Sequence, residues 1–257
     1  MYTLGIDIGS TTSKCAVIKD GKELVAHSLQ TGGLGTGGPE EAMAQLWQSC
    51  GLTRQDMACA FVTGYGRKNY EGADGEISEL TAHALGGRFV FPDLRTVIDI
   101  GGQDAKVIAL SPSGKMVNFV MNDKCAAGTG RFLDVMASIL RLDVDDLDTE
   151  AAKAATPAAI SSTCTVFAES EVISQLANGV KRPDLVAGIC RSVASRVAAL
   201  ARRAGVTEQV CLSGGVARND AVRQALSDEL SVPVSVDPLA QYFGAIGAAL
   251  WAYKQTT

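Results

Sequence analysis

The sequence predicts an α/β protein made of two related domains. Strand-like apolar runs alternate along it with helical patterns, as at 39–50, 76–86 and 185–204. An Asp-x-Gly turn with a lysine seven residues after the aspartate occurs twice, from Asp7 to Lys14 and from Asp99 to Lys106. With 47% hydrophobic and 20% charged residues over 257 positions, the chain can bury one large core or two modest ones.

In order, Tyr2 to Ile6 is an apolar run ending at Asp7, and the polar turn Ile8-Gly9-Ser10-Thr11-Thr12-Ser13-Lys14 leads into Cys15-Ala16-Val17-Ile18. This reads as strand, turn, strand. Lys19-Asp20-Gly21-Lys22 contains the Asp-Gly pair favoured in two-residue hairpins, so Glu23 to Leu29 is the third strand of a meander. The glycine-rich stretch 32–38 is expected as a mobile loop inside the first domain, followed by helices over 39–50 and 76–86. A boundary near Pro92 divides an N-terminal domain, 1–92, from a C-terminal domain, 93–257. There Thr96 to Ile100, Val107 to Leu110 and Met116 to Met121 repeat the strand pattern, with a turn at Ser113-Gly114. Cys125 lies in a small-residue turn just before an amphipathic helix, and Cys164 follows a Ser/Thr-rich turn before a helix that stops at Gly179. A helix over 185–204 and a strand from Val210 to Ser213, running into Gly214-Gly215 and a further helix, complete the chain.

The formal charge of −5, with no run of Lys or Arg, argues against nucleic acid or an anionic membrane as the main partner. No basic n-region precedes Asp7, and no apolar run approaches the roughly 18 residues that span a bilayer. A cytoplasmic protein is expected, in which seven cysteines stay reduced. There is no Gly-x₄-Gly-Lys-Ser/Thr loop and no convincing strand, GxGxxG, helix fingerprint.

The two Asp-x-Gly turns suit a metal nucleotide, placed in a cleft between the domains. Glycines let backbone N–H groups approach phosphate oxygens, the hydroxyls of Ser10, Thr11, Thr12 and Ser13 add donors, and Lys14 adds positive charge. Asp7 and Asp99 are the expected holders of hydrated Mg²⁺, and Gln103 is placed to orient the water that attacks the γ-phosphate. Gly101, Gly102 and Asp104 complete the second loop, and the Gly214-Gly215 turn suits an adenosine lying against backbone, with Gln241 as a further nucleotide-binding candidate.

Cys125 and Cys164 differ from the other cysteines because each precedes a helix, whose N-terminal partial charge stabilises thiolates; Cys15, Cys50, Cys59, Cys190 and Cys211 read as buried structural residues. A [4Fe-4S] cluster takes four ligands and this chain offers two in suitable settings, so a two-fold homodimer would complete the set. A zinc site built the same way satisfies the same spacing.

In the order of its three loops the whole chain resembles the actin, hexokinase and Hsp70 superfamily, which implies two ribonuclease-H-like (actin/hexokinase-like) domains with a nucleotide cleft between them. The segments 99–104, 122–132 and 161–175 closely resemble the 2-hydroxyacyl-CoA dehydratase and benzoyl-CoA reductase activator family. That resemblance implies one [4Fe-4S] cluster at a homodimer interface, loading by ferredoxin or flavodoxin, and MgATP-driven transfer of single electrons to a dehydratase component such as (R)-2-hydroxyglutaryl-CoA dehydratase. Activation of a double-cubane-cluster protein or of benzoyl-CoA reductase is the nearest alternative. Further off stand a sugar kinase, with Asp99 as base, and an actin-like polymer or chaperone ATPase.

Overall fold

The computed structural model describes residues 1–33, 35–122, 125–161 and 164–257. Leu34 of the glycine-rich loop, and Asp123, Lys124, Ser162 and Thr163 of the two cysteine segments, lie outside the described residues. In chain order the elements are β1 (Tyr2–Ile8), β2 (Thr12–Lys19), β3 (Glu23–Thr31), α1 (Gly38–Cys50), β4 (Met57–Thr63), β5 (Gly75–Glu76), α2 (Glu79–Val90), β6 (Thr96–Ile100), β7 (Ala105–Leu110) and β8 (Met116–Asn122). They continue with α3 (Gly130–Leu140), α4 (Leu147–Ala151), α5 (Thr165–Ala177), α6 (Arg182–Ala204), β9 (Val210–Ser213), α7 (Asp220–Leu230), β10 (Val234–Ser235) and α8 (Phe243–Thr256).

The chain divides into two compact units. The first comprises Met1–Leu94, Leu110–Met116 and Asp237–Thr257, and the second Arg95–Ala109 and Val117–Val236. The units therefore do not follow the split at residue 92 expected from the sequence, because the C-terminal segment returns to the first unit. The physical reason lies in α8, which packs against α2, β1 and β4. Almost all of it is Gly, Ala or another apolar residue, so it buries Phe243, Gly244, Ala245, Ile246, Gly247, Ala248 and Ala249 rather than a single stripe.

Each unit holds a five-stranded sheet, ordered β3-β2-β1-β4-β5 in the first and β8-β7-β6-β9-β10 in the second. The central strand pairs antiparallel with its hairpin partner (β1 with β2, β6 with β7) and parallel with the strand on its other side (β1 with β4, β6 with β9). The duplication read from the two turns is thus a duplication of topology.

In the first unit β1 and β2 are buried on both faces, and their alternate side chains serve different cores. Leu4, Ile6, Ile8, Cys15 and Val17 pack with Ala42 and Leu46 of α1, whereas Ala16 and Ile18 pack with Ala245, Ile246 and Ala249 of α8. Gly5 faces α8 so closely that a Cβ there would lie 1.9 Å from the Ala245 carbonyl oxygen. Local caps set helix starts: Ser78 Oγ accepts from the Thr81 N–H at α2, and Asn219 Oδ1 from the Val222 N–H at α7. No helix among the described residues is long and apolar enough to cross a membrane.

Candidate functional site

The last turn of each central strand carries an aspartate, and the antiparallel register sets a lysine directly across from it: Asp7 opposite Lys14, Asp99 opposite Lys106. Residues seven apart face each other because the hairpin turns midway between them. In the first unit Asp7 is buried and its Oδ2 lies 3.5 Å from Lys14 Nζ. Gly64 and Gly244 close on this carboxylate, where a Cβ would come within 2.5 Å of Oδ1 and 2.6 Å of Oδ2 respectively. His83 lies beside them, its Nε2 3.2 Å from the position a Gly244 Cβ would take. Thr63, paired with Asp7 on the neighbouring strand β4, has a buried hydroxyl with no hydrogen-bond partner among the described residues.

Ser10 and Thr11 occupy the turn between β1 and β2 and Thr12 opens β2; Gly9 closes the turn by donating its N–H to the Thr12 carbonyl. Ser13 departs from the sequence expectation. Its side chain is fully buried and its hydroxyl donates to the Gly32 carbonyl at 2.7 Å, so it braces the glycine-rich loop instead of facing outward.

In the second unit Asp99 is 2% exposed and held from two sides, accepting from Ser213 Oγ at 2.8 Å on Oδ1 and from Lys106 Nζ at 3.2 Å on Oδ2. Lys106 also pairs with Asp104 at 2.9 Å. Gly101 donates its N–H to the Asp104 carbonyl, and Gln103 at the tip of the loop is exposed. The Gly214 turn belongs to the same cluster: with φ of 85°, Gly214 passes so close that a Cβ would lie 2.3 Å from the Ile100 carbonyl oxygen and 3.0 Å from Asp99 Oδ1. Gly215 opens the 3-10 turn that follows, where the sequence reading has an immediate helix; α7 starts only at Asp220. Gln241 lies in the 3-10 turn Ala240–Tyr242 and belongs to the first unit, whereas Gly214 and Gly215 belong to the second.

The second loop is tied directly to a cysteine-bearing segment. Gly130 and Arg131, the first residues of α3, donate their N–H groups to the carbonyls of Gly101 and Gly102 at 2.9 and 2.8 Å. Cys125 is exposed and stands five residues ahead of Gly130, not immediately before the helix, because Ala126 to Thr129 first make a turn. Gly128 adopts φ of 87° there, and the Thr129 hydroxyl donates to the Ala126 carbonyl. Asn122 Nδ2 donates to the carbonyls of Cys125 and Ala127, both at 3.1 Å. Arg196 of α6 lies over the Phe132 ring at 5.0 Å. Burial holds its guanidinium below the ordinary value, while the Cys125 sulfur nearby pulls it back up.

Cys164 is also exposed and is itself the N-cap residue of α5, where a sulfur meets the helix's partial positive charge. Cys15, Cys59, Cys190 and Cys211 are buried. Burial pushes the thiols of Cys15 and Cys190 up to about 12 and that of Cys211 higher still, so these stay protonated. Cys50 is not buried as expected; it sits half-exposed at the end of α1, its thiol directed at the Leu46 carbonyl.

Sequence reasoning left out Lys106 and Ser213 as site residues. The spacing shared with Lys14 could have found the first, and the strand's last position before Gly214 the second. Thr63, His83 and Gly244 carried no local signal, since they meet Asp7 only through folding.

A relative from Acidaminococcus fermentans, the (R)-2-hydroxyglutaryl-CoA dehydratase activating ATPase, is 57% identical over 256 residues, covering 99% of this chain and 98% of its own. The solved activator of the 2-hydroxyisocaproyl-CoA dehydratase from Clostridium difficile, with bound ADPNP, superposes with a TM-score of 0.96 at 51% identity, covering 99% of this chain and 95% of its own. A ROK hexokinase from Thermus thermophilus matches at a TM-score of 0.52 and 16% identity over 100% of this chain and 99% of its own, a likeness of fold alone. The actin/hexokinase-like α/β architecture expected from the sequence is the one found. A model of the BadF/BadG/BcrA/BcrD ATPase family matches residues 4–252, and with these relatives and its paired aspartate loops the chain belongs to that family.

Proposed function

We propose that this chain is an ATP-driven one-electron donor that reductively activates a 2-hydroxyacyl-CoA dehydratase, (R)-2-hydroxyglutaryl-CoA dehydratase first among them. In this reading it works as a homodimer around one [4Fe-4S] cluster held by Cys125 and Cys164 of each copy.

The observation that carries it is the contrast among the cysteines. Two thiols are exposed on loops ahead of helices, while four are buried and kept protonated. Thiolate is the donor an iron–sulfur core takes, so the residues present fit the group. A [4Fe-4S] core takes four thiolates and each copy offers two exposed ones, so a second copy completes the set. Exposed apolar side chains on the same elements favour that copy as a neighbour: Val117, Phe119 and Met121 on β8 leading to Cys125, and Val166, Phe167 and Ile173 on α5 after Cys164. When bound, the cluster supplies single electrons of low potential.

For the nucleotide, Asp7 and Asp99 serve as the carboxylates that hold Mg²⁺ through its waters, a role suited to groups buried yet set against lysine ammonium groups. Ser10, Thr11, Thr12, Gly101 and Gly102 offer donors to phosphate oxygens, and exposed Gln103 orients the water that attacks the γ-phosphate. Gly214 and Gly215 shape the adenosine side, with Gln241 as a further contact. Hydrolysis is read by the rest of the chain through the hydrogen bonds from α3 to the Gly101 and Gly102 carbonyls, which join the phosphate loop to the Cys125 segment. The electron donor is a reduced ferredoxin or flavodoxin, and the setting the cytoplasm.

Anaerobic purification followed by iron and acid-labile sulfide analysis tests the reading, with about four of each per dimer expected. Cys125→Ala and Cys164→Ala should lose both while still binding ATP. Zinc without sulfide in the native protein, or a full complement of iron in Cys125→Ala, would sink it.

A further inference from the structure

Resting on the reading of Asp7 as a carboxylate for Mg²⁺, we propose that Thr63 is its positioning residue, giving Asp7 the hydroxyl hydrogen bond that Ser213 gives Asp99. The duplication of the two hairpins extends to the parallel strand beside each. In register, Asp99 pairs with Ser213 on β9 and Asp7 pairs with Thr63 on β4. The next residue is a glycine in both, Gly214 with φ of 85° and Gly64 with φ of 91°. A Cβ at Gly214 would lie 2.3 Å from the Ile100 carbonyl oxygen and 3.0 Å from Asp99 Oδ1; one at Gly64 would lie 2.4 Å from the Ile8 carbonyl oxygen and 2.5 Å from Asp7 Oδ1. Both units therefore turn the parallel strand against the aspartate in the same way.

Strand alternation puts Thr63 on the same sheet face as Asp7. Leu4, Ile6, Ile8, Ala60 and Val62 pack together with Leu46 of α1, whereas Phe61 packs with Ala82 of α2 and Ala248 of α8. Thr63, two residues beyond Phe61, shares that second face with Asp7, whose carboxylate is closed by Gly244 of α8. The two units differ only in whether the hydroxyl is used. Ser213 Oγ donates to Asp99 Oδ1 at 2.8 Å, while the Thr63 hydroxyl is fully buried and makes no hydrogen bond among the described residues. Among those residues the Asp7 carboxylate has the Lys14 ammonium at 3.5 Å, beyond ordinary hydrogen-bond length.

A buried hydroxyl left unbonded lowers stability, and its place in a fold calls for a reason. Here the matching acceptor is its own register partner, and the second unit shows that this register brings the two atoms to 2.8 Å. A carboxylate has about four acceptor directions, so Asp7 can take the Thr63 hydroxyl while the others serve Lys14 and the waters of Mg²⁺. A donor behind a metal-binding carboxylate fixes its plane and so strengthens its hold on the ion. Thr63 touches neither phosphate nor Mg²⁺ in this scheme and acts only through Asp7.

The test is calorimetric titration of the full-length protein with the non-hydrolysable analogue ADPNP, in Mg²⁺ and in EDTA, for wild type, Thr63→Val, Thr63→Ser, Asp7→Asn and the double variant Asp7→Asn with Thr63→Val. Thr63→Val should bind Mg²⁺-ADPNP about tenfold or more weaker, the worth of a hydrogen bond to a charged group, and should bind as wild type in EDTA. Thr63→Ser should bind as wild type in both. Adding Thr63→Val to Asp7→Asn should cost nothing further, because the hydroxyl has no other route to the metal. If Thr63→Val fails to fold, Thr63→Ala must show the same loss. Wild-type affinity for Mg²⁺-ADPNP in Thr63→Val overturns the inference. An equal loss in EDTA also overturns it, and so does a Thr63→Ser variant as weak as Thr63→Val, which would assign the effect to the methyl group. If Asp7→Asn keeps the wild-type dependence on Mg²⁺, the reading of Asp7 fails and this one with it; if Asp7→Asn loses that dependence while Thr63→Val binds as wild type, this one fails alone.

Discussion

At the residue scale the two aspartate–lysine pairs are alike in register and unlike in setting. Lys106 and Asp99 are 4% and 3% exposed at the side chain, while Lys14 and Asp7 are 13% and 6% exposed and farther apart, at 3.5 Å against 3.2 Å. Removing one partner of a buried pair leaves an uncompensated charge, costing about 3–5 kcal/mol when water cannot reach it. Lys106→Met should therefore lower the stability of the second unit by about that much, and Lys14→Met should cost the first unit clearly less, both read from denaturant midpoints. Equal losses would mean that burial does not decide the difference. The cysteines provide a second expectation at this scale. Thiolate is the reactive form, and a thiol raised to about 12 is ionised to only roughly one part in ten thousand at pH 8. Metal-free protein treated with iodoacetamide at that pH should be modified at Cys125 and Cys164 first and at Cys15 and Cys190 last, by peptide mass spectrometry. The aspartates and the two exposed cysteines were legible because each belongs to a short motif whose chemistry is local. His83 and Thr63 were not, because nothing in their own neighbourhoods in sequence says that they will fold against Asp7.

At the scale of elements, strands and helix ends were read from alternation and capping residues, and the errors fall where small residues remove that signal. The run from Cys125 to Gly130 holds two alanines and two glycines and has no periodicity, so the start of α3 was placed too near Cys125. What fixes that start is tertiary: the N–H groups of Gly130 and Arg131 are claimed by the Gly101 and Gly102 carbonyls. Gly130 permits this approach, since a Cβ would lie 3.2 Å from the Gly101 carbonyl oxygen and 3.4 Å from Gly102 Cα. Gly130→Ala should push the Gly101-Gly102 loop, proposed above to bind phosphate, out of place, a strain of about 1 kcal/mol or more, equivalent to about fivefold or more in the Kd for ATP. Calorimetric titration reads this directly. Unchanged affinity would show that the loop takes up the methyl group without moving, or that its N–H groups do not hold the phosphates as proposed.

At the scale of the molecule, the duplication was legible because two identical spacings force two identical hairpins, and the paired sheet orders follow from them. The return of the C-terminal segment to the first unit was not, because α8 is apolar nearly all round and its partners are more than a hundred residues away in sequence. The packing depends on small residues at every close approach: Gly5 against Ala245, Gly86 against Phe243, and Gly247 against Ala82, where a Cβ would fall 1.9, 2.0 and 1.8 Å from the facing carbonyl oxygens. Gly5→Ala should cost about 3 kcal/mol or more, since both surfaces that would have to give way are backbone. Ending the chain at Val236 should do more, stripping Ala16 and Ile18 of the helix that covers them. In hydrogen exchange, β1 and β2 should then lose protection while β6 and α6, which belong to the other unit, keep theirs. Protection that survives in β1 would mean that the first unit's sheet and α1 suffice without α8. Protection lost equally from β6 would mean that the two units fold as one cooperative body, and the stability of the Asp99 loop would then depend on a helix assigned to the other unit.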